Sequence, residues 1–143
     1  MATTRTHPSD MQPWADPEAT PDLEMTFAQP QKWLNSNQIR GHWAKTDPIR
    51  RYWRNIAHVT ARSKAKGKSF DRAHVVFTFH LDTRRSFDPA NLGPQIKAMT
   101  DGFTDAGLWV DDSHRHVVGP DARYGEPGEK RIVVRVYDLG GAA

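Results

Sequence analysis

Apolar and polar residues alternate from Leu23 to Ala28, where Leu23, Met25 and Phe27 face one way and Glu24 and Thr26 the other. A period of two is that of a strand with one buried face. From Pro48 to about Ser63 the spacing changes. Ile49, Tyr52, Trp53, Ile56, Ala57 and Thr60 recur at helical intervals behind Asp47 and Pro48, a pair suited to capping and opening a helix. Alternation returns over Ala73 to Leu81, with Val75, Phe77, Phe79 and Leu81 against Val76, Thr78 and His80, a β-branched and aromatic run. Leu92, Ile96, Met99 and Phe103 then form one stripe of a second helix, with Pro94 in its first turn and Gly107 at its end. A short strand at His116 to Val118, a turn-rich loop over Gly119 to Gly128 and a strand over Arg131 to Tyr137 complete the pattern. The predicted order is β-α-β-α-β-β, an α+β fold in which helices pack on one mixed sheet.

Before Asp22 no apolar period appears, so residues 1–22 are expected to form a flexible arm, 23–139 the domain and 140–143 a short tail. At 143 residues the chain suits one domain with a real core. The stretch Gln29 to Asn37, with Trp33, Asn35 and Asn37 among turn formers, is expected to be a polar loop.

Charge adds a partner to this picture. The formal net charge is +3 and the pI about 9.4. The positive residues are bunched: Arg50, Arg51, Arg54, His58 and Arg62 share the outer face of the first predicted helix, and Lys64, Lys66 and Lys68 continue the run. A solvated helix face would explain part of this. A patch spanning helix and loop, flanked by Tyr52 and Trp53, fits the phosphate backbone of a nucleic acid better. Trp33, Asn35, Asn37 and Trp43, in the polar loop, are the candidate further DNA contacts.

There is no cysteine, which excludes disulfides, thiolate metal sites and a cysteine nucleophile. A metal would need oxygen or imidazole ligands. No apolar run approaches the ~20 residues of a membrane-spanning helix, and the expectation is a soluble, cytoplasmic protein with no membrane partner.

The acids gather around the second helix. Asp88 ends the second strand, Lys97 and Asp101 fall one turn apart on one helix face, and Asp111 and Asp112 follow the helix. Each has an ordinary reading as a turn former or solvated pair. Together they resemble the equipment of phosphodiester cleavage, because Mg²⁺ needs only one or two carboxylates plus water and substrate phosphate, and a lysine can stabilise developing negative charge. A helix of about twelve residues spans roughly 18 Å, so the chain after it must turn back for Asp112 to approach Asp88.

The stretches FDPANL and IKAMTDGFTDAGLWVDD resemble the RusA-type Holliday junction resolvases, whose pattern is Asp-x-Asp-Asn-Leu, a helix with Lys and Asp, and a Gly-aromatic-aliphatic-Asp-Asp close. Element order is similar from Leu23 to Leu139, but only Asp88 to Asp112 is closely motif-like. The resemblance implies a homodimer that binds four-way DNA junctions in recombination and repair. With Mg²⁺, or Mn²⁺ in its place, it would nick strands of like polarity symmetrically. It implies Asp88, Lys97 and Asp112 as catalytic residues, with Asp88, Asp112, Asp111, Asn91 and Asp101 as metal ligands. Two departures stand out. Ala90 occupies the place of the family's second acid, and Gly93-Pro94-Gln95-Ile96 lengthens the step from leucine to lysine.

Because alternate residues of an extended segment share a side, an acid at position 90 would join Asp88 on one ion. Its loss keeps open a second reading, a branched-DNA-binding protein that does not cut. A third reading, a histidine transition-metal site, follows from His74 and His80 sharing one strand face and His114 and His116 another.

Overall fold

The computed structural model describes residues 19–28, 32–36, 43–83 and 88–140. Most of the expected N-terminal arm, Asn37 and the end of the tail lie outside the described residues, as does the Trp43 side chain. Four strands, β1 (Leu23–Phe27), β2 (Ala73–His80), β3 (Val117–Tyr124) and β4 (Arg131–Asp138), form one sheet in the order β1-β4-β2-β3. β4 runs antiparallel to both β1 and β2, while β3 runs parallel to β2. Helices α1 (Trp43–Ala65) and α2 (Gly93–Asp105) complete the predicted α+β order, and a 3₁₀ turn over Pro89–Leu92 leads into α2.

The alternating residues create the core. Met25 and Phe27 of β1, Val75, Phe77 and Phe79 of β2, and Ile132, Val134 and Val136 of β4 are sealed from solvent. Trp53, Ala57, Ala61 and Ala65 recur every fourth residue on the buried side of α1, and Met99 and Phe103 do so on α2. The small side chains of α1 admit α2 closely. A Cβ built at Gly102 would lie 2.2 Å from the Arg54 carbonyl oxygen and 2.8 Å from the Ala57 Cβ, so the helices cross where only glycine fits. The α2 stop is as expected. Gly107 has φ +83°, its N–H donates to the Thr104 carbonyl (2.9 Å) and that of Leu108 to the Phe103 carbonyl (3.2 Å), satisfying the last turn.

Three expectations are corrected. Helix α1 begins at Trp43, so Pro48 lies inside it and Asp47 does not cap it. A proline near the N-terminal end removes one backbone bond without ending the helix, and Asp47 instead pairs with Arg50 and Arg51 of the same helix. Trp43 is accordingly a helix residue rather than a loop residue.

The expected loop from Gly119 is strand as far as Tyr124, because β3 finds its partner in β2, with Phe77 opposite Ala122 and Phe79 opposite Tyr124. A register shift between His74 and Val76 absorbs the Gly119–Pro120 step. Proline is tolerated there because β3 is an edge strand.

Trp33, expected as an exposed DNA contact, is only 9 % exposed. Its ring meets Phe79 edge-on at 5.4 Å, and the Lys130 ammonium lies 4.7 Å from its centroid. The neighbouring backbone explains the burial. Leu34 is sealed, its N–H donates to the buried Gln95 Oε1 (2.9 Å), and Trp53 Nε1 donates to the Lys32 carbonyl (2.7 Å), so this short segment is tied into the core. Trp33→Ala is therefore expected to cost about 3 kcal/mol of stability in urea unfolding.

Candidate functional site

The helix stripe that buries Met99 and Phe103 turns Lys97, Asp101 and Asp105 outward at intervals of four, which lines them up along α2. After Gly107 the chain turns back. Leu108 and Trp109 are buried, the Leu108 carbonyl accepts from the Phe70 N–H (2.7 Å), and Trp109 Nε1 donates to Thr104 Oγ1 (2.7 Å). This return carries Asp112 to the outer face of α2. There Lys97 Nζ donates to Asp112 Oδ2 at 2.7 Å and pairs with Asp101 Oδ1 at 2.9 Å. The hydrogen bond to Asp112, then that to Asp101, raises the Lys97 pKa, so the ammonium is charged throughout the neutral range. It is an electrostatic group and not a proton acceptor.

The other predicted acids are placed differently. Asp111 is exposed and its Oδ1 accepts from the Ser113 N–H (2.8 Å); the Ser113 side chain and backbone together hold its carboxyl below the usual range. Asp88 is exposed at the entry to the 3₁₀ turn, where its carbonyl accepts from the Asn91 N–H (3.0 Å). The Asn91 carbonyl accepts from Ser36 Oγ at 3.4 Å. Among the described residues no three His, Asp or Glu side chains group closely enough to hold a metal ion. The pair that does meet is Asp101 with Asp112, both on Lys97. Carboxylate oxygens are the donor type that a hard divalent ion takes, but in this structure both acids face the Lys97 ammonium.

Three of the four histidines of the transition-metal reading are engaged elsewhere. His74 Nε2 donates to Asp121 Oδ2 (2.5 Å), His80 Nδ1 to the Glu126 carbonyl (2.8 Å) and His116 Nδ1 to the Asp71 carbonyl (2.8 Å). Each ring is held by the sheet or its loops, as strand histidines commonly are.

Of the predicted phosphate contacts, Arg50 and Arg51 share Asp47. Arg54 crosses to the second helix, where its Nε and Nη2 donate to the two Asp105 oxygens at 2.7 and 2.9 Å. This clamp was not foreseen, although the spacing of Lys97, Asp101 and Asp105 shows from sequence alone that Asp105 shares their face. Arg62, Lys64, Lys66 and Lys68 are exposed at and beyond the end of α1, and Asn35 is half-buried.

The hydrogen bonds from Arg54 hold the Asp105 carboxyl below the ordinary carboxylate range. Such a group stabilises the fold above its unfolded pKa of about 4, and that contribution is lost as pH falls through the lower folded value. Both side chains are substantially exposed, which limits the effect by solvent screening. Asp105→Asn is expected to cost at most about 1 kcal/mol in urea unfolding at pH 7, with the difference from the parent closing as pH falls below the ordinary carboxylate range.

Compared with known proteins, the chain matches no family model and no curated protein sequence.

Proposed function

We propose that the protein is a metal-dependent endonuclease for branched DNA, resolving four-way junctions by paired nicks. The observation that supports it most is the meeting of Lys97, Asp101 and Asp112 on the outer face of α2. The RusA-like motif implies Lys97 and Asp112 as catalytic, and Lys97 and Asp101 lie on the helix that packs against the basic α1.

Asp112 and Asp101, once released from Lys97, would hold Mg²⁺ or Mn²⁺, with Asp88, Asn91 and Asp111 the further oxygen donors that the resemblance implies. When bound, the ion offsets phosphate charge and makes water a better nucleophile at neutral pH. Lys97, charged and fixed between two carboxylates, stabilises the negative charge that builds on the phosphate oxygens. The basic residues at the end of α1 hold the DNA backbone without reading its bases. Two nicks in one junction need two sites, so this reading requires a homodimer.

A second reading is favoured by Ala90 and by the absence of a three-acid cluster among the described residues. In it the protein binds junctions and leaves them uncut. Incubation with labelled immobile junction in Mg²⁺, Mn²⁺ or EDTA separates the two. Nicks that require metal support the nuclease; tight binding without nicks in either metal transfers the assignment to the second reading. Equal affinity for junction and matched duplex overturns both.

A further inference from the structure

A pocket of about 300 Å³ opens where the C-terminal ends of the two helices meet, lined by Arg62, Ala65 and Lys68 on one side and by Asp105 and Gly107 on the other. The chain forms it through two left-handed turns, Lys66–Gly67 after α1 (φ +52° and +84°) and Gly107 after α2 (φ +83°). Gly67 and Gly107 present no side chain to the opening. At ~30 Å³ per water, the volume takes a phosphodiester with an adjoining sugar.

Two positive side chains reach this pocket from different places. Arg62 comes from the last turn of α1, where a cation also offsets the helix dipole. That role does not account for Lys68, which lies past the turn, packs its ammonium 5.4 Å from the Phe70 ring centre, and still lines the same pocket. The one carboxylate in the wall, Asp105, is already taken by both donors of Arg54. It therefore does not neutralise Arg62 or Lys68, and among the described residues neither is paired with an acid. Two spare cations around a roomy polar opening are what a phosphate anion requires.

Position on α2 links the pocket to the acid–lysine cluster. Asp105 lies two turns along the same face from Lys97, about 12 Å at 1.5 Å per residue. Phosphates of one strand lie farther apart than the ~3.4 Å axial rise per nucleotide, so about 12 Å spans roughly two to three nucleotides of one strand. The geometry points to this pocket as the seat of one backbone phosphate of the bound DNA, about two to three nucleotides from the phosphate at Lys97, gripped by Arg62 and Lys68. This inference rests on the DNA-binding reading above and specifies where the strand is held.

The test is a scan of the junction with single neutral methylphosphonate linkages, placed one at a time within six positions of the nick or crossover. Binding is measured for the parent protein and for the Arg62→Ala, Lys68→Ala double variant, both substitutions being at exposed positions. One linkage, within about two to five nucleotides, is expected to weaken the parent about tenfold, the scale of one charge-assisted contact. The same linkage should change the variant less than about twofold, and the variant's slope of log affinity against log salt should be shallower by about 1. If the parent binds junctions but no linkage shows this coupling, the pocket does not hold a phosphate and the DNA-binding reading survives without it. If the parent binds no DNA, the functional reading itself falls and the pocket assignment with it.

Discussion

Lys97→Met is expected to lower the rate of junction cleavage by about 10²–10³-fold, while the dissociation constant for the junction changes by less than about threefold. The expectation comes from geometry. Lys97 is more than half exposed, so little packing is lost, and methionine keeps the stem while removing the charge that Asp101 and Asp112 fix in place. A charge used at the transition state affects the rate, whereas a charge used only for docking affects affinity and salt dependence. Lys97→Arg should recover part of the rate, because the charge returns with a broader and differently directed head group. A Lys97→Met protein that cleaves at the parental rate would remove this cluster from the mechanism.

The largest expected effect on stability is at Gly102. A Cβ there would lie 2.2 Å from the Arg54 carbonyl oxygen and 3.0 Å from the His58 nitrogen, both backbone atoms that yield only if α1 moves. Moving α1 disturbs the packing of Trp53 and Ala57 and the Arg54 clamp on Asp105 together. Gly102→Val is therefore expected to cost more than the ~1–3 kcal/mol of ordinary overpacking, a large part of a total stability of ~5–15 kcal/mol. Gly93→Ala supplies the contrast. Its Cβ would meet nothing within 4 Å in the first turn of α2, and it should leave stability unchanged or raise it by about 0.5 kcal/mol. Urea unfolding of the three proteins measures both. A Gly102→Val protein as stable as the parent would contradict the close helix crossing.

These results show which features local sequence reveals. The stripe of Leu92, Ile96, Met99 and Phe103 and the stop at Gly107 were legible because a helix is written in spacings of three and four and its end in one glycine. The β2 run was legible for the matching reason in period two. What escaped was non-local. Turn formers at Gly119 and Pro120 hid β3, whose pairing with β2 joins residues far apart in the chain. Trp33 sits among polar neighbours, and its burial depends on Gln95 and Phe79 arriving from two other elements. Pro48 marked a helix start only because its local sequence resembles one.

The candidate site divides in the same way. Lys97 with Asp101 follows from one helical turn, and their meeting with Asp112 required the buried Leu108 and Trp109 to fold the chain back. The basic residues were all visible in the sequence, but not their different employment. Arg54 reaches an acid 51 residues away, Arg50 and Arg51 are held within their own helix, and Arg62 and Lys68 share a pocket. Composition counts these charges alike, while only three-dimensional neighbours reveal which of them are already paired.

Whether the Lys97–Asp101–Asp112 cluster cuts junction DNA is tested most directly by mapping nicks on each separately labelled strand of an immobile four-way junction, with the parent and with Asp112→Asn. Nicks are expected in Mg²⁺ on two strands of like polarity, equidistant from the crossover, and lost in Asp112→Asn while junction binding remains. Nicks that persist unchanged in Asp112→Asn, or a parent that leaves every strand intact in both Mg²⁺ and Mn²⁺, would contradict this role of the cluster.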